Sequence, residues 1–296
     1  MDKSILLFVN PVSGNGKNVE NSNFIIQELI KDNWLINRFI SQQKDDFIKY
    51  LLNNDIKTYT HIGIVGGDGS MHEVVNGLGL NDFNINISIL LFPCGSGNAL
   101  NHDLACFTIE EALGRLKRNR SEKVDVIKVK SGSETHFAMS IVGFGIVNDI
   151  NKRAESMRRM GNMRYTLAAL VDIFRNPKYE AKVEVDGIKY DGNFCFVLIS
   201  NTIHTGKAMK MAPLAQISDG LLDVLLVKHL KIWQLLLLFP KIFTGNHISS
   251  PLLKHIHAKS INIYPKTPQV GNLDGEVKGT SPFEVEIMPK AIKIIC

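Results

Sequence analysis

The stretch from Ile62 to Asn76, Ile-Gly-Ile-Val-Gly-Gly-Asp-Gly-Ser-Met-His-Glu-Val-Val-Asn, decides how the first part of the chain folds. It begins as a short apolar run, continues through the turn Gly66-Gly67-Asp68-Gly69-Ser70, and then places apolar residues at helical spacing. This order of strand, glycine turn and helix directs backbone N–H groups toward a phosphate. Side chains in place of the glycines would keep phosphate oxygens away from the backbone.

Asp68 is the informative residue of this turn. A carboxylate in a phosphate-binding loop repels the ligand unless it binds Mg²⁺ or receives a proton. The alternative is a tight strand-to-helix turn in which Asp68 is only the N-cap of the helix. The stretch by itself leaves both interpretations open.

Two further glycine-containing loops follow buried strands. Residues 10–17, Asn-Pro-Val-Ser-Gly-Asn-Gly-Lys, follow the apolar run 5–9, and residues 93–98, Pro-Cys-Gly-Ser-Gly-Asn, follow the run 87–92. The first of these loops lacks the spacing of a Walker A motif. Because ligands bind at the carboxyl ends of the strands in an open α/β sheet, we expect the three loops to line one crevice.

Composition excludes several classes of protein. With 296 residues, 45% of them apolar and 21% charged, the chain has the composition of one large or two modest globular domains. There is no RNA-binding signature and no zinc-finger spacing, so the net charge of +5 does not indicate nucleic acid as a partner.

Four scattered cysteines are typical of a reducing cytosol. Apolar runs such as 235–239 are much shorter than the roughly 20 residues of a spanning helix, so any membrane contact is expected to be peripheral.

The sequence predicts a second domain after a basic, polar stretch at 115–123. Short strands alternate there, Asp186-Gly187 is typical of a hairpin turn, and helical insertions are expected at 149–174 and 231–243. We therefore predict the fold class α/β plus β. It combines an open α/β lobe, residues 1–120, with an antiparallel β-rich lobe, residues 121–296.

The three loops together, with Glu73 and Asn76 after the central one, resemble the nucleotide-site motifs of the diacylglycerol kinase and sphingosine kinase superfamily of lipid kinases. Gly-Gly-Asp-Gly alone also occurs in NAD kinases and phosphofructokinases. The resemblance covers essentially the whole chain. Residues 158–167 resemble the sphingosine and ceramide kinase branch, whereas 206–213 and 218–223 resemble the stand-alone bacterial diacylglycerol kinase branch. Asp274-Gly275-Glu276 matches the Asp-Gly-Glu of the superfamily.

The resemblance implies a nucleotide lobe and a β-sandwich lobe with the active site in the cleft between them, and a C-terminus that packs back on the first lobe. The implied reaction transfers the γ-phosphoryl group of ATP, with Mg²⁺, to a lipid hydroxyl, in diacylglycerol or a related glycerolipid. A sphingoid base is the alternative acceptor. Where sphingosine kinases carry an acidic residue that contacts the lipid amine, this chain has Asn151, with Asp149 nearby. A NAD kinase and a non-catalytic nucleotide- or lipid-binding protein are the other hypotheses.

The resemblance also implies roles for individual residues. Asp68 is the candidate general base, or orients the acceptor hydroxyl, and Glu276 competes for that role or holds Mg²⁺. Asp219 corresponds to a ligand of a structural Mg²⁺, although its neighbour is Ser218. Asp149 and Asn151 are the candidate lipid contacts. The candidate nucleotide-binding residues are Asn10, Ser13, Gly14, Gly66, Gly67, Asp68, Gly69, Ser70, Gly95, Ser96, Asn98, Arg158, Arg164 and Asp274.

Each assignment has a structural alternative. The arginines can form a solvated helix face, Asp219 an ordinary turn, and Glu276 the tip of a hairpin. His72 is expected on a helix surface. The segment 231–243 is either an amphipathic helix at a membrane interface or a helix packed on the β lobe. We expect a cytoplasmic enzyme, peripheral at the inner face of the membrane, with lipid as its substrate and a homodimer as one option.

Overall fold

The computed structural model describes residues 3–157, 160, 163–206 and 209–296. The chain divides into two units. The first contains residues 3–126 and 288–296, and the second contains residues 127–287. No helix among the described residues is both long enough and apolar enough to cross a membrane.

Strands and helices alternate through the first unit, as the glycine loops predict. In chain order they are β1 (Ser4–Val9), α1 (Asn18–Lys31), β2 (Leu35–Ile40), α2 (Asp46–Asn53), β3 (His61–Gly66), α3 (Asp68–Gly79), β4 (Ser88–Pro93), α4 (Ala99–Asp103) and α5 (Ile109–Arg118). All four strands are parallel, in the order β4-β3-β1-β2. The chain therefore changes direction across the sheet between β1 and β3, where open α/β sheets bind their ligands.

Apolar composition and capping explain these elements. β1 and β3 are buried along their whole length, as parallel strands covered on both faces must be. Thr108 is the N-cap of α5, and its hydroxyl accepts a hydrogen bond from the backbone N–H of Glu111. The Glu111 carboxylate accepts one from the Thr108 N–H in return, which completes a capping box.

The second unit is dominated by antiparallel strands. Its elements, with the two strands that it shares with the first unit, are β5 (Ser121–Ser131), β6 (Glu134–Ala138), β7 (Ile141–Gly145), α6 (Ile146–Ser156), α7 (Arg164–Arg175), β8 (Tyr179–Val185), β9 (Ile188–Lys189), β10 (Gly192–Ser200), β11 (Leu222–Lys228), α8 (Ile232–Leu238), α9 (Lys241–Thr244), β12 (Lys254–Ala258), β13 (Ser260–Pro265), β14 (Val270–Leu273), β15 (Glu276–Thr280) and β16 (Phe283–Ile295). β10 lies at the centre, because β7, β8 and β11 all pair with it. The predicted combination of an α/β lobe with a β-rich lobe is confirmed.

The structure differs from the sequence-based expectations in several elements. The helical insertion at 149–174 contains two helices, α6 and α7. Near the C-terminus, one long strand, β16, replaces the short strands expected of this lobe, and its end pairs in parallel with β4 through Lys293 and Ile294. This pairing places residues 288–296 in the first unit. Strands β7, β12, β14 and β15 were not predicted, because short segments with glycine, asparagine or histidine carry little apolar alternation.

His61 makes the stability of the first unit sensitive to acid. It is 6% exposed, and its Nε2 lies 3.0 Å from Oδ1 of Asn119. Burial lowers the pKa of His61, which the hydrogen bond to Asn119 opposes. A histidine whose pKa is lower in the folded state leaves the fold at its full stability above the unfolded pKa of about 6.5, and stability is lost as the pH falls from that value through the lower folded pKa.

We expect the free energy of unfolding to fall between pH 7.5 and pH 5.5, and to fall less in a His61→Gln variant. Glutamine can still donate a hydrogen bond to Asn119 but takes up no proton in this range. Chemical denaturation at both pH values measures the difference. An equal pH dependence in the two proteins would show that His61 titrates alike in the folded and unfolded states.

Candidate functional site

The loops that follow β1, β3 and β4 meet in the first unit. A Cβ atom built on Gly95 would lie 2.2 Å from the Cα of Gly67, and one built on Gly14 would lie 2.3 Å from the carbonyl oxygen of Cys94. Both distances are far below van der Waals contact. The glycines are therefore required where the three backbones touch one another, in addition to any approach of a ligand.

Polar side chains connect the same loops. The amide nitrogen of Asn10 donates to the hydroxyl of Ser70 at 3.2 Å, which joins the first loop to the second. The amide of Asn18, buried at the start of α1, donates to the carbonyl oxygens of Asn10 at 2.9 Å and Cys94 at 3.4 Å. Asn18 was not among the predicted residues, although a buried asparagine at a helix start directly after a glycine loop is a readable signal.

Asp68 connects the second loop to the third. The N-cap of α3 is Gly67, and Asp68 is the first residue of the helix, so the interpretation of Asp68 as its N-cap is wrong. Its Oδ1 instead accepts a hydrogen bond from the backbone N–H of Ala99, at 2.7 Å, where α4 begins. The carboxylate is half-buried and lies at the N-terminal end of α3, where the helix dipole favours negative charge.

Asn98 closes the third loop on itself. Its φ of 56° places it in the left-handed region, which asparagine tolerates better than most residues. Its Oδ1 accepts from the N–H of Gly95 at 2.9 Å, and its Nδ2 donates to the carbonyl of the same residue at 3.0 Å. These bonds shape the loop. The predicted contacts of Asn98 and of the exposed Ser96 with nucleotide stay predictions.

Two other side chains near the loops, those of His72 and Cys94, are buried. His72 is 3% exposed, so its expected position on a helix surface is wrong. α3 buries residues on nearly all of its faces, and apolar periodicity could not show this. In the third loop, burial raises the pKa of the Cys94 thiol to about 11. A thiol with so high a pKa is not an activated nucleophile.

Gly95→Ala is expected to lower the free energy of unfolding by about 1–3 kcal/mol, because the new methyl group meets backbone atoms that have no room to move. Gly114→Ala, the same chemical change within α5, is the control. Its methyl group would meet only the end of the Arg118 side chain, at 3.8 Å, and alanine should stabilise the helix by about 0.5–1 kcal/mol. Urea denaturation of both variants measures the contrast. A Gly95→Ala protein as stable as Gly114→Ala would contradict the close packing of the loops.

In the second unit, Asp274-Gly275 forms the two-residue turn between β14 and β15. Both residues have positive φ, 53° and 92°, as a hairpin turn of this type requires. The Asp274 carboxylate accepts hydrogen bonds from the backbone N–H groups of Met139, Ser140 and Ile141 at 2.8–3.0 Å. Its contacts are those of a structural residue, and its predicted nucleotide contact stays a prediction.

Asn151 and Asn272 hold the same turn from its other sides. Asn151, 6% exposed, donates from Nδ2 to the carbonyl oxygen of Gly275 at 2.6 Å. Oδ1 of Asn272 accepts from the N–H of Gly275 at 2.9 Å. Glu276, half-buried, follows as the first residue of β15. Its carboxylate is therefore attached to a backbone that side chains fix on several sides.

The other candidates of the second unit lie in separate environments. Asp149, half-buried on α6, accepts a hydrogen bond from the hydroxyl of Tyr179, and burial together with this carboxylate raises the pKa of Tyr179. Arg164 lies 3.5 Å from Glu155 and stacks on the Tyr165 ring. Arg158 lies outside the described residues. The contacts of Asp149 and Asn151 with lipid, and of the arginines with phosphate, stay predictions.

Asp219 is exposed, and its Oδ1 accepts from the backbone N–H of Leu221 at 3.0 Å, as in an ordinary Asx turn. Among the described residues, the one group of three converging His, Cys, Asp or Glu ligands does not include it. A single carboxylate beside Ser218 does not provide the several oxygen ligands of a structural Mg²⁺ site. No chemistry is assigned to an ion at this position.

Comparison with known proteins gives matches in both parts of the chain. Residues 4–129 match the family model of the diacylglycerol kinase catalytic domain, and residues 140–296 match that of the YegS C-terminal NAD kinase beta sandwich-like domain. Sphingoid long chain base kinase 4 of Schizosaccharomyces pombe is 24% identical, with 97% of this chain and 74% of the relative covered. A protein named "Putative lipid kinase" in Staphylococcus epidermidis is 26% identical, with coverages of 86% and 84%.

Two solved structures share the fold. A structure of a diacylglycerol kinase from Bacillus anthracis str. Sterne superposes with a TM-score of 0.82 at 23% identity, covering 99% of this chain and 96% of the other. An NAD kinase from Archaeoglobus fulgidus in complex with ATP superposes with a TM-score of 0.55 at 13% identity, covering 99% and 93%. At these identities, the likeness concerns the fold alone.

Proposed function

Because this chain belongs to the diacylglycerol kinase and YegS family of lipid kinases, we propose that it transfers the γ-phosphoryl group of ATP to a hydroxyl group of diacylglycerol or a related glycerolipid. The observation that carries the proposal is the convergence of the three glycine loops beside Asp68 at the start of α3. A helix N-terminus with glycine-rich loops around it is a site for phosphate groups.

The loop residues supply the binding part of the proposal. Glycines at 66, 67 and 69 leave the backbone N–H groups at the start of α3 without side chains to screen them from phosphate oxygens. Asn10 and Ser70, hydrogen-bonded to each other, hold the first two loops in register for the nucleotide. When bound with ATP, Mg²⁺ would neutralise phosphate charge, and the Asp68 carboxylate beside these loops is a candidate oxygen ligand.

Asp68 is our candidate for the group that orients the acceptor hydroxyl and takes its proton. The hydrogen bond from Ala99 fixes the direction of its carboxylate. An alcohol proton becomes acidic late in phosphoryl transfer, so a carboxylate of ordinary pKa can accept it. Glu276 is the second candidate for this role, since the turn before it is held by hydrogen bonds to strands β7 and β14 and helix α6.

The lipid acceptor is proposed from the residue at the place where sphingosine kinases carry an acidic contact to the lipid amine. This chain has Asn151 there, neutral and bonded to the Gly275 carbonyl. A cationic sphingoid base would find no charge on that side chain, whereas a glycerolipid needs none. The similarity to a relative named as a sphingoid base kinase keeps sphingoid bases as the second candidate acceptor.

The test is transfer of label from γ-labelled ATP into mixed micelles. Diacylglycerol, monoacylglycerol, sphingosine and ceramide are offered in parallel, with Mg²⁺ and with EDTA, and NAD is offered separately in solution. We expect labelled diacylglycerol or monoacylglycerol, lost with EDTA and lost in Asp68→Asn. Label in sphingosine alone would show that the acceptor is a sphingoid base and not a glycerolipid. Label in NAD alone, or in no acceptor while ATP still binds, would overturn the proposed function.

We further propose that the enzyme reaches its lipid at the membrane surface through helices α7 and α8. Leu235 and Leu238 of α8 are buried in the core of the second unit. Of the two alternatives for residues 231–243, this burial favours a helix packed on the β-rich lobe for most of the segment. Four other apolar side chains of the two helices are exposed. The α7–α8 apolar surface consists of Val171, Phe174, Trp233 and Leu237, which are 39–62% exposed.

Position and charge favour a membrane as the partner of this surface. The end of α7 is joined to the start of α8 by a hydrogen bond from Asn176 to the Leu230 carbonyl, at 3.2 Å. Exposed Arg175, Lys178 and Lys231 lie at this junction. Apolar side chains beside cationic ones are the composition of a surface that binds anionic lipid headgroups and inserts into the interface.

Flotation with vesicles tests this surface. We expect the protein to float with phosphatidylglycerol vesicles and much less with phosphatidylcholine vesicles, and a Trp233→Ser, Leu237→Ser variant to lose most of the binding. Ile188→Ser, a change of an equally exposed apolar residue on β9, is the control. Loss of vesicle binding with full activity in detergent micelles separates membrane docking from catalysis. Unchanged flotation of the double variant would exclude this surface.

A further inference from the structure

Three metal-ligating side chains that the proposed reaction does not use converge in the second unit. Asp223 lies on β11, and His255 and His257 lie on the neighbouring antiparallel strand β12. Asp223 is directly opposite His257 in the pairing of the two strands. His255 and His257 are separated by one residue, so their side chains leave β12 on the same face.

The ligand atoms are arranged around one point. Oδ1 of Asp223 lies 2.6 Å from Nε2 of His255 and 3.3 Å from Nε2 of His257, and all three ligand atoms lie within 4.8 Å of one another. The two imidazole rings are perpendicular, with centroids 4.7 Å apart. A tetrahedral ion with ligands at about 2.0–2.2 Å separates neighbouring ligand atoms by about 3.3–3.6 Å. The Asp223–His257 distance already has this value, whereas the Asp223–His255 distance would have to lengthen to admit an ion of this kind.

The three ligand side chains differ in their exposure to solvent. The Asp223 side chain is 1% exposed and that of His255 is 15% exposed, whereas that of His257 is 45% exposed. Three protein ligands with one side toward solvent leave the fourth tetrahedral position to water. Among the described residues this is the one group of three such ligands within mutual reach.

The ligand types select the metal. Two imidazole nitrogens and one carboxylate form a donor set for zinc and its neighbours in the first transition series, whereas Mg²⁺ and Ca²⁺ take oxygen ligands. Each imidazole would bind through Nε2 and carry its proton on Nδ1. The buried Asp223 carboxylate would offset one of the two charges of the ion.

We propose that Asp223, His255 and His257 form a Zn²⁺ site that links strand β12 to strand β11. In the part of the chain that the structure describes, β12 pairs with β11 and with no other strand. An ion shared by the two strands therefore adds a second attachment to a strand that is otherwise held from one side. The metal site is independent of the proposed phosphoryl transfer, and its test does not use enzymatic activity.

The experiment uses the whole chain, freed of metal with EDTA and transferred to buffer without chelator. Isothermal titration with ZnCl₂ is expected to give one tight site per chain, and Zn²⁺ is expected to raise the thermal unfolding midpoint. Co²⁺ in place of Zn²⁺ should give the visible absorption of a tetrahedral ion with nitrogen and oxygen ligands. His257→Gln should lose roughly 100-fold or more in Zn²⁺ affinity, since even losing an outer-shell partner costs about 10–100-fold.

Two controls make the result specific. The His257 side chain is nearly half exposed, so His257→Gln should fold, and its unfolding midpoint without metal should match that of the unmodified protein. His136→Gln removes a histidine that lies 3.1 Å from Glu134 on strand β6 and belongs to no three-ligand group among the described residues, and it should keep full Zn²⁺ affinity. Absence of Zn²⁺ binding at micromolar concentrations, or equal binding by His257→Gln, would overturn the proposal and leave a hydrogen-bonded cluster.

Discussion

Asp68→Asn should lower kcat by about 10²–10⁴-fold while ATP binding persists. The substitution removes the charge and the proton-accepting capacity of the side chain but keeps an amide oxygen where Oδ1 now accepts the Ala99 N–H. The contact between the second and third loops should therefore survive, and with it the backbone groups proposed to bind the phosphates. Steady-state kinetics with the labelled lipid, and ATP titration followed by thermal shift, measure the two effects separately.

Asp68→Ala is the matched control, because it removes the acceptor as well as the charge. It leaves the Ala99 N–H without its side-chain partner and should cost about 1 kcal/mol of stability in addition to the loss of turnover. We expect weaker ATP binding in this variant than in Asp68→Asn. Turnover in Asp68→Asn within a few-fold of the unmodified enzyme would remove Asp68 from the chemistry and leave Glu276 as the candidate base.

Sequence alone could predict the three loops because their signals are local. A buried apolar run, a glycine turn and a helical pattern follow one another within about a dozen residues, and the carboxyl ends of parallel strands lie at the same edge of a sheet. The contact of Gly67 with Gly95 and the bond from Ala99 to Asp68 could not be predicted in the same way. These contacts depend on which strands are neighbours, and that order is set by packing of the whole sheet.

The same limit explains the residues of the second unit. Asn151 was assigned a lipid contact from its place in the chain, yet its amide bonds a turn more than a hundred residues away. Asp274 was assigned to nucleotide from a motif, yet its carboxylate accepts hydrogen bonds from three backbone N–H groups at residues 139–141, where β7 begins. A motif shows that a residue type is needed. It does not show whether the need is contact with a ligand or support of a neighbouring side chain.

Asp274→Ala tests the supporting role and should have the second large effect. The Met139, Ser140 and Ile141 N–H groups would lose their acceptor, and each such loss costs about 1–3 kcal/mol where water cannot replace it. The carboxylate is half-buried, so water replaces part of the loss, and we expect the free energy of unfolding to fall by about 3 kcal/mol. Guanidinium denaturation measures this fall. Since Glu276 follows the turn directly, kcat should fall as well.

Asp274→Asn separates support from contact with nucleotide. Asparagine keeps one oxygen, which can accept from Ser140 and Ile141 as Oδ1 does now, but it places an NH₂ group opposite the Met139 N–H. Stability and kcat should therefore lie between those of the unmodified protein and Asp274→Ala, with the two quantities falling together. Weaker ATP binding in Asp274→Asn at unchanged stability would instead show that the carboxylate acts on the nucleotide, as the motif implied.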